Sequence, residues 1–297
     1  VAVFTVAFIL VRILPGDPVA AYLGEAADAT SVAATRQKFG LDEPLYLQYI
    51  SSLLGLLRGD LGRSFLSGRS VVVEIGFVLP NTIILAIAAL LISSVLGIIA
   101  GIVAALRLNQ FADYVVMALA TLGVSMPLFW LGLLLLIIFS YHLNIFPVAG
   151  VTAGDSVLSQ IHALILPAFT LASIFMAIVA RMTRSSMVEV LHSDFITAVR
   201  AKGASEKRVI FKHALKNAMI PIVTVIGLNT GILIAGAVLT ETVFARPGIG
   251  KLLVDAVLGK DFPLVQGIIL LVGIMYIFTN LLVDILYAYL DPRIKYR

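Results

Sequence analysis

The sequence predicts an all-α membrane protein with about six transmembrane helices, and three observations predict it. The chain is 60% hydrophobic and only 13% charged, against roughly 25% charged residues in a soluble domain, so most of its surface faces something apolar. The charges leave five long gaps: 83–106, 114–141, 161–180, 218–240 and 262–283 carry no Asp, Glu, Lys or Arg. Each gap reaches the roughly 20 residues that a helix needs to cross a ~30 Å hydrocarbon core. The gaps also lack the period-two alternation of barrel strands, which leaves helices to satisfy the backbone in lipid.

Taken in order, Val1–Leu14 is an apolar run that starts without Met or a basic flank, and is expected to be the start of a sixth helix rather than a signal peptide. Leu14-Pro15-Gly16-Asp17-Pro18 then reads as a helix stop. The stretch 15–82 is amphipathic with frequent turn residues, and is expected to form an ordered outer cap of short helices. The second span carries Gly97 and Gly101, and the fifth carries Gly227 and Gly231. This spacing lets two helix backbones approach closely in lipid. Pro127 and Pro167 sit inside the third and fourth spans and are expected to kink them. Pro221 is read as the entry to the fifth.

Six helices divide the loops into two sets. The set 107–113, 181–217 and 291–297 holds twelve basic and five acidic residues. The set 15–82, 142–160 and 241–261 holds eight basic and eleven acidic residues. Lys and Arg concentrate on the cytoplasmic side of membrane proteins, so 181–217 and both termini are expected there.

Several functions are disfavoured. No acid or base lies near the middle of a span, whereas ion-coupled transporters usually need one there. Asp284 and Arg12 lie toward span ends. No catalytic Ser/His/Asp set or metal-ligand cluster is visible, and the chain has no cysteine, so no thiolate site. His142 and His162 near the ends of spans three and four read as incidental. Arg246 through Leu252 resembles a phosphate loop only superficially: GxxxxGK[ST] wants Gly and Ser or Thr where Ala245 and Leu252 stand. Energy for transport must come from elsewhere. A stand-alone channel or ion-coupled transporter, and a structural or insertase-like scaffold, are the readings of other classes.

The segment 181–217 is the most informative. Met187, Leu191, Phe195 and Ala198 recur at helical spacing as one apolar stripe. Gly203 breaks the helix. Ser205 is a suitable N-cap for a second helix with Glu206 in its first turn, and Arg208, Lys212 and Lys216 follow as one basic stripe. Pattern alone leaves two readings level: an amphipathic hairpin on anionic headgroups, or a docking element for a cytoplasmic partner.

Thr197-Ala198-Val199-Arg200-Ala201-Lys202-Gly203, followed by His213-Ala214-Leu215-Lys216-Asn217-Ala218 and Pro221, resembles the EAA loop of binding-protein-dependent ABC transporter permeases. It departs from EAAxxxG…IxLP at Thr197, Val199 and the 213–217 run. This variant is similar to the dipeptide, oligopeptide, glutathione and nickel branch. Leu14–Pro18, and Glu241-Thr242-Val243-Phe244 through Pro247-Gly248-Ile249-Gly250 to Leu253-Val254-Asp255, resemble the same branch.

The resemblance implies a type I ABC importer permease (MetI-like) fold, with 1–297 as a single transmembrane permease domain. It implies two homologous permeases paired as a heterodimer in the membrane lipid. Two ABC ATPase subunits would sit beneath them, and an extracytoplasmic substrate-binding protein above. The importer would serve di- or oligopeptides, or alternatively nickel or glutathione. Arg200, Ala201, Lys202, Gly203, Ala204, Ser205 and Glu206 would couple to an ATPase, with a short helix around 201–205. Apart from the resemblance, Ser125, Asn229, Thr230 and Asn280 are polar residues inside the spans that either line the pathway or hydrogen-bond between helices. No catalytic residue, metal, cofactor or nucleic-acid partner is expected.

Overall fold

The computed structural model describes residues 2–13, 16–24, 28–148 and 156–290, with the side chains of 284 and 286–290 excepted. Leu14, Pro15, the 149–155 part of one loop, the side chain of Asp284 and the basic 291–297 tail lie outside the described residues. All named elements are helical. The chain divides into two compact units, one of Val1–Ile83 and Ala245–Tyr276, the other of Ile84–Phe244 and the chain from Ile277 onward.

In the first unit, α1 (Ala2–Ile13) is apolar but rises only about 18 Å over its twelve residues. Its Arg12 lies 3.3 Å over the Phe8 ring and donates to Gln48 Oε1 at 3.0 Å. Three short helices follow: α2 (Pro18–Leu23), α3 (Ala29–Lys38) and α4 (Leu45–Leu57). Asp17 caps α2 through the Val19 amide at 2.9 Å, with Pro18 opening the helix. Asp28 caps α3 through Ser31. The short helices expected over 15–82 are these three, and from Val71 the stretch belongs to the next long helix. The long helix α5 (Val71–Leu106) starts at Val71, with Glu74 in its first turn, where the helix dipole favours a negative charge.

The turn between α4 and α5 is fastened by Asp261. This fully buried carboxylate accepts from Ser64 Oγ at 2.5 Å, from the Phe65 and Leu66 amides at 3.1 and 3.3 Å, and from Leu264 N at 3.4 Å. Rings of Phe39 and Phe65 stack at 4.0 Å beside it. Val11, Val71, Ile75, Ile249, Ala256 and Ile268 form the core of this unit.

The second unit is organised around α8 (Val157–Leu191). Two thirds of its apolar stretch is buried (67%), against 22% for α5. Gly97 and Gly101 of α5 make this possible. A Cβ on Gly97 would lie 2.8 Å from Val179 Cβ, and one on Gly101 would lie 2.4 Å from Thr183 Cβ. The glycine spacing expected to allow close packing thus places α5 against α8.

The third span is broken rather than kinked. α6 (Phe111–Ser125) and α7 (Leu128–Leu135), the latter continuing as a π-helix over Leu136–His142, meet at 110°. Pro127 disfavours the α conformation at the preceding residue, and Met126 is extended at φ −81, ψ 130. Pro167, by contrast, leaves α8 one continuous helix.

The coupling candidates follow α8: α9 (Asp194–Ala201), α10 (Glu206–Arg208), a π-helix over Val209–Ala214, and α11 (Leu215–Val243). Then come α12 (Ile249–Leu258) in the first unit and the long α13 (Phe262–Leu290). Gly231 is buried in α11. Among the described residues four helices are long and apolar enough to span a membrane, and the bent α6–α7 pair makes a fifth.

Candidate functional site

The segment between α8 and α11 is built as a folded platform. Ile196, Val209, Ala214, Ala218 and Ile222 pack with Met187 and Val179 of α8 and with Ile102 and Ala105 of α5 in one core. The expected apolar stripe is corrected here. α8 stops at Leu191, and Ser193 sits at the N-cap of a new helix in extended backbone. The restart rotates the register, so Ile196 becomes the buried residue while Phe195 and Ala198 are exposed.

The short helix lies at Asp194–Ala201, and 202–205 is the turn that follows it. Gly203 has φ +79, a conformation that costs other L-residues about 1–2 kcal/mol. A Cβ there would meet nothing within 4 Å, so any steric role must involve a partner. Arg200 closes the turn with a two-point bond to Glu206, at 2.8 and 3.3 Å, and this partner raises the Arg200 pKa above its ordinary value. Ser205 is at the N-cap, as expected, but its hydroxyl makes no capping bond. Arg200, Ala201, Lys202, Gly203, Ser205 and Glu206 are exposed and Ala204 is half-buried.

The second helix of the segment runs without interruption into the span, as Glu206–Val243, so Pro221 lies inside the helix instead of at its entry. The π-helix over Val209–Ala214 has more residues per turn than an α-helix. It therefore takes Arg208, Lys212 and Lys216 out of the regular α spacing that defines one stripe.

The pathway candidates separate. Asn229 Nδ2 donates to Val225 O at 2.7 Å and Thr230 Oγ1 to Ile226 O at 2.8 Å, so both turn back on their own helix. Asn229 lines a cavity of about 10 Å³ with Ser93, Ser94 and Phe175, the volume of about one water. Neither Ser125 nor Asn280 lines it. Ser125 is the exposed last residue of α6, at the break, and Asn280 is half-buried in α13.

Three carboxylates are buried: Asp113 and Asp261, which sequence reasoning did not single out, and Glu241, the first residue of one of the motifs quoted above. Asp113 accepts two bonds from Arg184, at 2.5 and 2.7 Å, and one from Asn109 N at 3.0 Å. A signal existed for Asp261, since Asp followed by Phe262-Pro263 and an apolar run is a helix-start pattern. None existed for Asp113, whose partner is 71 residues away. Among the described residues, no three His, Asp or Glu side chains group as a metal site; His162 instead lies 4.9 Å from the Phe146 ring.

The sequence matches the family described as binding-protein-dependent transport system inner membrane component over residues 96–296, and the N-terminal part of that component over 1–86. The chain belongs to this family. It is therefore a multi-pass permease of the inner membrane. This permease is 44% identical to the dipeptide transport system permease protein DppB of Alkalihalophilus pseudofirmus, over 98% of its length and 94% of the relative's. It is 43% identical to a di/tripeptide permease of Pseudomonas aeruginosa, over 98% and 93%, and 41% identical to the Escherichia coli K12 dipeptide permease, also over 98% and 93%. Its fold is that of ABC importer permeases. It superposes on the inward-facing MetNI methionine ABC transporter with TM-score 0.57 at 16% identity, covering 72% of this chain and 97% of that one. An amino acid ABC transporter with histidines gives 0.56 at 14%, covering 73% and 94%.

Proposed function

We propose that this permease is the pathway-forming subunit of an ATP-driven importer of short peptides, and that residues 194–206 are where ATP hydrolysis is coupled to transport. It pairs with a second homologous permease. Two separate ATPase subunits bind below and an extracytoplasmic binding protein delivers substrate from above. The substrate class rests on the dipeptide and di/tripeptide permeases it resembles over nearly its whole length.

The observation that carries the coupling role is the packing of 194–214. Its apolar residues Ile196, Val209 and Ala214 are fully buried in the permease's own core. A hairpin anchored in lipid keeps such residues free for the bilayer. Exposed are the 200–206 turn, small at Ala201 and Gly203 and closed by Arg200–Glu206, and the rings of Phe195 and Phe211. A small, exposed turn seated on a core that includes α5, α8 and α11 can be gripped by a partner and can move those helices. The basic excess of this loop supports a cytoplasmic position for it and for both termini, with the 15–82 region as the outer cap of a single 1–297 permease domain.

Gly203→Asp tests the reading in the assembled complex. The backbone at φ +79 and a carboxylate desolvated at an interface both disfavour docking. Uptake and substrate-stimulated ATP hydrolysis are expected to be lost while the permease inserts normally. Arg208→Gln with Lys212→Gln removes headgroup attraction of about 1 kcal/mol per residue and is expected to spare transport. Normal transport by Gly203→Asp, with failed insertion of the double variant, makes the segment a lipid anchor.

A further inference from the structure

The Asp113–Arg184 pair joins helices that the coupling role does not yet connect. Asp113 lies in the first turn of α6, with its side chain 3% exposed; Arg184 lies on α8 and is 28% exposed. The guanidinium approaches through Nε and Nη2, a two-point bond that fixes orientation as well as distance. The same carboxylate accepts from the Asn109 amide and holds the α5–α6 turn, where Asn109 has φ +58. Arg184 stands two turns before the end of α8, and Met187 between them is fully buried against Ile196 and Val209 of the coupling segment. Burying such a pair costs desolvation that apolar packing would avoid, so its specific contribution is a rigid, directional tie.

Farther along α6 the contact with α8 is different. A Cβ on Gly123 would sit at 3.5 Å from Ala177 Cβ and Ser173 O, an ordinary van der Waals contact with no charged tie. Just beyond lies the 110° break. α6 thus carries its charged tie to α8 at its Asp113 end and the break at the other, so a movement of α8 acts on α6 at the end away from the break.

We propose that Asp113 and Arg184 are positioning residues that transmit movement of the coupling segment to the broken α6–α7 span. The inference rests on the coupling role given above to 194–206. Its test uses the complete complex in proteoliposomes, with peptide uptake and ATP hydrolysis measured in the same vesicles. A single cysteine introduced as Ser125→Cys reports ATP-dependent labelling beside the break. Asp113→Asn and Arg184→Gln are each expected to lower uptake about tenfold, with ATP hydrolysis kept within about twofold, and the double variant to be no worse than either single, as coupled partners require. Arg184→Lys, which keeps the charge without the fork, is expected to lie between. The ATP-dependent change in labelling at position 125 disappears in both single variants. Wild-type uptake per ATP in both single variants, a double variant that multiplies the two losses, or failure of all four variants to assemble each overturns the proposal. Gly203→Asp run in parallel separates the two ideas. If it is uncoupled while Asp113→Asn is normal, only the clamp falls; if it transports normally, the coupling role falls with it.

Discussion

Replacing Asp261 with Asn should loosen the turn between α4 and α5 and the first turn of α13, leaving the middle of the spans as it is. The carboxylate is fully buried, and each oxygen serves two donors: Oδ1 takes Phe65 N and Leu264 N, and Oδ2 takes Ser64 Oγ and Leu66 N. Asn has one oxygen, so whichever way the amide turns, its NH₂ faces two former donors. The Ser64 hydroxyl can rotate to accept, but a backbone amide cannot, and at least one stays orphaned. An unsatisfied buried donor costs about 1–3 kcal/mol, and the lost charge assistance on the others adds a similar amount. A local cost of about 3 kcal/mol corresponds to roughly a hundredfold rise in opening, at 1.36 kcal/mol per tenfold. Amide hydrogen exchange in lipid nanodiscs reads this directly. The amides of Phe65 and Leu66 should lose about two orders of magnitude of protection while those in the middle of α5 stay as they were. Protection within about threefold of wild type at Phe65 and Leu66 would refute the reasoning, because the amides would then owe their protection to something other than Asp261.

Gly101→Ala should separate α5 from α8, since its Cβ would fall 2.4 Å from Thr183 Cβ and 2.6 Å from the Ala180 carbonyl; overpacking of this kind costs about 1–3 kcal/mol and should show as a lower melting temperature of the purified permease. Gly76→Ala meets nothing within 4 Å and should hold or raise that temperature. Gly203→Ala, with open space but φ +79, should weaken coupling less than Gly203→Asp; equal losses in ATP-stimulated uptake would assign the effect to backbone alone. The chain has no cysteine, so Ser156→Cys and Ser205→Cys give clean labelling, expected from opposite faces of the membrane.

The spans were legible because lipid imposes a one-dimensional rule, a run of uncharged residues, and α5, α8, α11 and α13 follow it. The Gly97/Gly101 pair was legible for a similar reason, as a period on one helix face. What escaped depends on local register or on distant partners. The gap over 114–141 reads as one span, yet Pro127 drives Met126 out of the helix and the chain turns through 110°. The stripe Met187, Leu191, Phe195, Ala198 assumes one helix, whereas a restart at Ser193 buries Ile196 instead. The turn at Gly203 was found from a single residue's backbone needs. The Asp113–Arg184 and Ser64–Asp261 bonds join residues 71 and 197 positions apart, and no periodicity reports such pairs.

Uptake of a labelled dipeptide into proteoliposomes tests the central claim most directly. The vesicles hold the permease with its partner permease and both ATPase subunits, the binding protein is outside, and ionophores collapse every ion gradient. The account predicts uptake that requires ATP within reach of the ATPases, and that stops when the ATPases or the binding protein are left out. Uptake that persists without ATP, or that collapses with the ion gradients while ATP is present, contradicts it and marks the chain as a channel or an ion-coupled carrier.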